Sequence, residues 1–233
     1  CCCPIWVAMI KKIYHDLIPH MPPAVSPMVA CGRAIKHVQP DAVTVFIGPC
    51  IAKKAEAREA DIKDAVDYVL TFQEINDLFQ LAGINPAEMP EDMRDHSSTA
   101  GRIYARTGGV SEAVQTTLNR LSPDRKMPLR ASQANGVVEC KKLLKEIMEG
   151  NIQSNFMEGM GCVGGCVGGP KAIIPYQEGT KLVNEYGKLA SYKTPIDNPQ
   201  VIELLHQLGF DTISDLLERD NIFIRNFSAN QPQ

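Results

Sequence analysis

The sequence predicts an α/β fold, with mixed or parallel sheets flanked by helices, and three observations carry that prediction. Short apolar runs such as Ala42-Val-Thr-Val-Phe-Ile47 alternate with longer stretches of helical period. That run is apolar at nearly every position, as in a strand buried on both faces of a parallel sheet. It ends in Gly48-Pro49-Cys50, and the carboxyl ends of strands are where open α/β sheets build their sites.

The elements follow in order. Between Trp6 and Leu17, apolar residues at Ile10, Ile13, Tyr14 and Leu17 keep a helical period, and Pro4 suits a first turn. Met21 to Pro27 is a connector, and Ser26-Pro27 caps a helix over 27–37. After the first strand, Lys53 to Asp64 reads as a solvated charged stretch. Asp67 to Thr71 reads as a second strand and Phe72 to Leu81 as an amphipathic helix stopped by Gly83. Residues 84–100 read as a surface loop. Gly108-Gly109 precedes a helix from Val110 to Leu121, and Met127 to Ser132 is read as a strand. A helix from Val137 to Met148 ends at Gly150, and Asn155 to Glu158 is a short strand. Thr180 to Ala190 and Pro199 to Gly209 are helices, and 221–233 is a flexible tail.

Composition narrows the function. The chain has 233 residues, net charge −3 and 22% charged residues, so neither nucleic acid nor an anionic membrane surface has an electrostatic footprint here. No apolar run approaches the roughly 18 residues of a membrane span. The start at Cys1-Cys2-Cys3-Pro4 shows no charged leader or apolar signal core, and an opening inside a motif suggests a piece of a longer polypeptide. Eight cysteines are thinly spread and cluster beside Pro and Gly, which favours thiolate metal ligation in a reducing, cytoplasmic compartment over a disulfide framework.

The most biased stretch is Met157-Glu-Gly-Met-Gly-Cys-Val-Gly-Gly-Cys-Val-Gly-Gly-Pro170, with three residues between Cys162 and Cys166, in a run containing six glycines. Glycine lets a backbone approach a bulky group closely. Cysteine thiolates are the soft ligands chosen by iron–sulfur clusters and zinc. Two further stretches carry cysteines: Cys1-Cys-Cys-Pro-Ile-Trp6 and Gly48-Pro-Cys-Ile-Ala-Lys-Lys-Ala-Glu56.

Together, in this order, the three stretches resemble the signature motifs of the iron-only ([FeFe]) hydrogenase catalytic domain: Thr-Ser-Cys-Cys-Pro, Pro-Cys-x-x-Lys-Lys-x-Glu, and Met-x-Cys-x-x-x-Cys followed by glycines. The likeness runs from residue 1 to about residue 170, and Ser26-Pro27 and Thr107-Gly-Gly-Val110 also match. The resemblance implies lobes around a buried cluster. It implies that Cys3, Cys50, Cys162 and Cys166 ligate a [4Fe–4S] cluster, with Cys166 bridging to a di-iron subsite bearing CO, cyanide and a dithiolate, together the H-cluster.

Glycines at 164, 165, 168 and 169 would fold the backbone around the cluster and aim amides at sulfur. Cys2 matches the cysteine that hands protons to the distal iron. Lys53 matches a lysine that hydrogen-bonds a cyanide, and Met160 a methionine lining the pocket. Pro49, Gly108 and Gly109 match residues around the diatomic ligands. Lys54 and Glu56 read equally well as a surface pair, and Cys31 and Cys140 as helix packing residues. Cys1 and the five histidines receive no role.

The implied activity is reversible reduction of protons to H2, with electrons from a ferredoxin or another iron–sulfur carrier. Departures from the family pattern accompany it. Gly48 stands where many members have a methionine, which predicts a more open pocket. Pro22 replaces a serine of the proton path and has no hydroxyl to relay a proton. The family's lobe before the first motif, and its accessory ferredoxin domains, have no counterpart in the chain, so a companion segment or subunit is expected. An H2-sensing module, an iron–sulfur scaffold without the di-iron subsite, and a zinc site built on the same cysteines are the competing readings.

Overall fold

The computed structural model describes residues 2–91, 97–218 and 222–227. Cys1, His96 and the last residues of the tail lie outside the described residues.

Helix α1 (Pro4–Ile13) begins with proline in its first turn, where a missing N–H costs nothing. A 3₁₀ turn (His15–His20) follows it. Ser26 then accepts the amide of Val29 at 3.5 Å and caps α2 (Pro27–Val38). Strand β1 (Val45–Gly48) leads into the short helix α3 (Ala52–Glu56). Strand β2 (Tyr68–Thr71) runs into α4 (Phe72–Leu81), whose start is a capping box between Thr71 and Glu74. Then come α5 (Thr99–Arg102), α6 (Gly109–Leu121), β3 (Ala131–Asn135), α7 (Val137–Met148) and β4 (Phe156–Met160). Helices α8 (Tyr176–Lys188), α9 (Pro199–Gln207) and α10 (Ile213–Glu218) complete the chain.

The strands form two separate two-stranded parallel ladders, β1 with β2 and β3 with β4. The first aligns Val45 with Tyr68 and Gly48 with Thr71, and the second aligns Ala131 with Phe156 and Asn135 with Met160. Each ladder belongs to its own apolar core. One cluster joins α1, α7 and β3 through Val7, Ile10, Ala134 and Leu144, with Trp6 against it. The other joins α2 to Ile62, Ala65 and Val66, with Phe46 against it.

Several expectations change. Strand β1 is not buried on both faces: Val45 is 47% exposed and Ile47 45%, because a two-stranded ladder gives this face nothing to pack on. Strand β3 lies about four residues later than Met127 to Ser132. Pro128 cannot donate to a ladder, and Arg130 is fastened instead by its amide to the Asn155 side chain at 2.8 Å. The stretch after Cys50 is not all solvated, since Lys53, Glu56 and Ile62 are buried. Cys31 is exposed on α2, whereas Cys140 is buried as expected. Residues 222–227, read as part of a flexible tail, are tied down. Ile224 pairs with Ala24, and buried Arg225 bonds Glu59 and Asp61.

Candidate metal centre

The three cysteine-bearing stretches arrive at one place from three elements. Cys3 is the residue before α1, so its side chain is fixed by the helix start. Cys50 follows β1 by two residues, and Cys162 follows β4 by two residues. Strands β1, β2 and β4 end on a buried residue, and β3 is most buried at Ala134, one residue before its end.

Direct contacts join the stretches. The amide of Gly161 donates to the Cys3 sulfur at 3.3 Å, linking the first stretch to the third. The amide of Lys171 donates to the Pro49 carbonyl at 3.0 Å, linking the third to the second. A Cβ on Gly169 would lie 2.6 Å from that same carbonyl, so only glycine allows this approach. The glycine loop also runs against the segment before α6. Arg106 and Gly165 form an antiparallel bridge, and the Thr107 amide donates to the Gly164 carbonyl at 3.1 Å. Gly164 and Gly165 take φ of 88° and 84°, the left-handed region that side chains resist.

The glycine amides do something other than expected. Gly164 donates to the Asn135 side chain at 2.7 Å, and the amides of Gly165, Gly168 and Gly169 donate to carbonyls of the loop itself. They shape the loop, and Gly161 is the glycine whose amide meets a cysteine sulfur.

The thiols feel one another electrostatically. Burial above all, then the charges of Cys2 and Cys3, push the Cys166 thiol up to about 12, and Lys53 opposes them. Cys162 is raised by burial and by Cys50 and Cys3. Burial is also the first cause for Cys2, which senses Cys3, Lys53 and Glu158. Thiols that would be neutral in the bare protein become thiolates only against a metal, whose charge inverts this balance.

Among the described residues, no three His, Cys, Asp or Glu side chains gather as a single metal ion requires. A cubane asks for something different, because each thiolate binds its own iron at a separate corner. The donor set, four free cysteines from three segments in mutual electrostatic reach, fits a cluster better than a zinc ion.

Lys53 is buried, and its ammonium donates to Glu56 at 2.7 Å, a pair with side chains 8% and 4% exposed. The surface pair in this motif is instead Lys54 with Glu74. An ammonium has three N–H bonds. Glu56 takes one, and the ammonium is also 6.0 Å from the centre of the Phe46 ring. Met160 is 1% exposed at the end of β4, and its carbonyl accepts from the Gly136 amide at 2.7 Å.

Gly108 and Gly109 are buried at the start of α6, and their anchor escaped sequence reading. The buried Glu158 carboxylate accepts from the Gly108 amide, the Ser111 amide and the Ser111 hydroxyl at 2.6–2.7 Å. An acidic residue inside a strand bounded by apolar neighbours was the available signal, since such carboxylates are buried only with partners. Asn135 is a second such anchor, accepting from both Gly164 and the Thr107 hydroxyl.

Beside Cys2 and Cys3 opens a mainly apolar cavity of about 650 Å³, walled by residues including Trp6, Pro22, Tyr104 and Glu158. Cys50, Cys162 and Cys166 are not on its wall. The Gly48 position is not open either: the Phe46 ring fills the space beside it, 2.8 Å from where a Cβ would stand.

Comparison with known proteins gives the family and the fold. The chain is 28% identical over 219 residues to the periplasmic [Fe] hydrogenase large subunit of Nitratidesulfovibrio vulgaris, covering 75% of this chain and 51% of the relative. It is 25% identical over 253 residues to the cytosolic iron-sulfur assembly component 3 of Bos taurus, covering 87% and 53%. The chain thus spans about half the length of these curated relatives, and the compartment differs between them. A variant of the [FeFe]-hydrogenase HydA1 from Chlamydomonas reinhardtii superposes with a TM-score of 0.69 at 25% identity, over 97% of this chain and 76% of that one. No helix among the described residues is long and apolar enough to cross a membrane. The family model for the iron only hydrogenase large subunit, C-terminal domain, matches residues 1–170, and the chain belongs to that family.

Proposed function

We propose that the chain is part of the H-cluster domain of an iron-only hydrogenase and works in the reversible reduction of protons to H2. Cys3, Cys50, Cys162 and Cys166 would hold a [4Fe–4S] cluster, and Cys166 would bridge to a di-iron subsite bearing CO, cyanide and a dithiolate. The bound group supplies the redox chemistry that joins two protons and two electrons as H2. The chain's own residues hold, orient and enclose it. Cys2 would carry a proton on its sulfur, and the cavity it lines would serve as the proton's approach. Lys53 would direct an N–H left free by Glu56 at a cyanide. Pro49, Gly108, Gly109 and Met160 would close the pocket.

The observation that carries this reading is the buried Lys53 ammonium within electrostatic reach of Cys2 and Cys166. A bare cubane needs no buried cation, and Glu56 offsets this one's charge while occupying only one of its three N–H donors. The electron donor would be a ferredoxin or a similar iron–sulfur carrier. The open face of β1 would meet a further lobe or companion subunit. Seven described cysteines, all unpaired, support a reducing cytoplasmic setting.

A second reading has its own support, because relatives include an iron–sulfur assembly component. There the chain would keep the cubane without the di-iron subsite. Infrared spectroscopy of the anaerobically matured protein separates the two. Sharp CO and cyanide stretches are expected for a hydrogenase, and iron with sulfide but no such bands would hand the chain to the assembly reading.

A further inference from the structure

Residues two apart in a strand share a face, so Phe46 and Gly48 both point inward from β1 while Val45 and Ile47 point out. An ideal Cβ at Gly48 would stand 2.8 Å from Phe46 Cε1 and 3.0 Å from Cζ. The ring therefore lies back along its own strand, over the next inward position. It has no easy retreat, since Phe46 packs against the cluster of Val25, Met28, Val29 and Ile62. The Lys53 ammonium is 6.0 Å from the ring centre, within the reach of a cation over an aromatic face. Glu56 fixes that ammonium from the other direction at 2.7 Å.

We propose that Phe46 is a positioning residue that seats the Lys53 ammonium, and that position 48 lacks a side chain because the ring occupies its space. The pair works as one unit. A side chain at 48 pushes the ring away and frees the lysine, whereas removing the ring makes a side chain at 48 harmless. The role of the seated ammonium toward a cyanide rests on the proposed function, but the seating itself does not.

The test is a double-mutant cycle in the full chain without cluster, reading the thermal midpoint and the rate at which an amine-reactive reagent labels Lys53, followed by peptide mass spectrometry. Gly48→Ala is expected to lower the midpoint and to speed labelling about threefold or more, the scale of a lost cation–π contact. In a Phe46→Ala background, Gly48→Ala should change neither. Phe46→Leu keeps apolar bulk and should label fast, while Phe46→Tyr keeps the ring face and should label at the parent rate. Additive effects of the two substitutions, or Phe46→Leu labelling at the parent rate, would overturn the proposal. In the matured protein, Phe46→Leu should shift the cyanide stretch. A parent protein without CO and cyanide bands would remove the proposed function and leave the outcome of the mutant cycle at Phe46 intact.

Discussion

The two ladders have the same topology and are fastened in opposite ways. The β3–β4 ladder is held from inside: Glu158 accepts three hydrogen bonds from the start of α6, and Gly159 lets Trp6 lie against the strand. The β1–β2 ladder is held largely from outside, through Lys36 with Asp67 and Lys54 with Glu74, while Val45 and Ile47 stay exposed. Its inward side includes Phe46 and Val69 against the α2 core, buried Thr71, and, near Cys50, Gly48, Lys53 and Glu56. Burial is concentrated where cysteines are delivered, so substitutions should hurt the second ladder and the inner end of the first, while pH should act on the outer end of the first.

Glu158→Ala should have the largest effect. It strands two buried amides and a hydroxyl, which predicts a loss of about 4 kcal/mol in chemical denaturation. A loss under about 1 kcal/mol would erase the contrast between the ladders. Lys53→Met comes next, because it leaves the Glu56 carboxylate buried and unpaired, at a cost of about 3 kcal/mol. Its neighbour sharpens the comparison, since Lys54→Ala breaks only a pair on the surface and should leave the unfolding midpoint almost unmoved. Gly159→Ala sets a Cβ 1.8 Å from the Trp6 ring and should cost about 2 kcal/mol as α1 is pushed away.

The smallest effect is electrostatic and belongs to the first ladder. Lys36 first, then Thr44, holds the Asp67 carboxyl down at about 2. Lys54 first, then Thr71, holds Glu74 at about 2. Both values are depressed below the ordinary carboxylate range, so this stability is present at neutral pH and lost as pH falls from about 4 toward 2. Thermal midpoints recorded across that window should fall, and Asp67→Asn with Glu74→Gln should flatten the profile.

What the sequence makes legible follows the same division. Helix α7 is readable to its ends because periodicity and a closing glycine agree, and α2 because Ser26 and Pro27 mark its start. The cysteines are readable because three short stretches each carry their own pattern. Strand β1 reads as doubly buried because an apolar run looks the same whether or not a sheet covers it. Gly48 reads as an opening because a missing side chain does not reveal which neighbour fills the space. Glu158 stands out as an acid among apolar strand residues, but its partners at Gly108 and Ser111 are hidden because they lie 50 and 47 residues away.

The central claim is that four cysteines from three stretches serve one iron–sulfur cage, and iron and sulfide content after anaerobic reconstitution tests it most directly. The parent chain should take up at least about four irons and four sulfides. Cys3→Ser, Cys50→Ser, Cys162→Ser and Cys166→Ser should each lose most of that content, while Cys31→Ser keeps it. Full content in any of the four, or its loss in Cys31→Ser, would contradict the account.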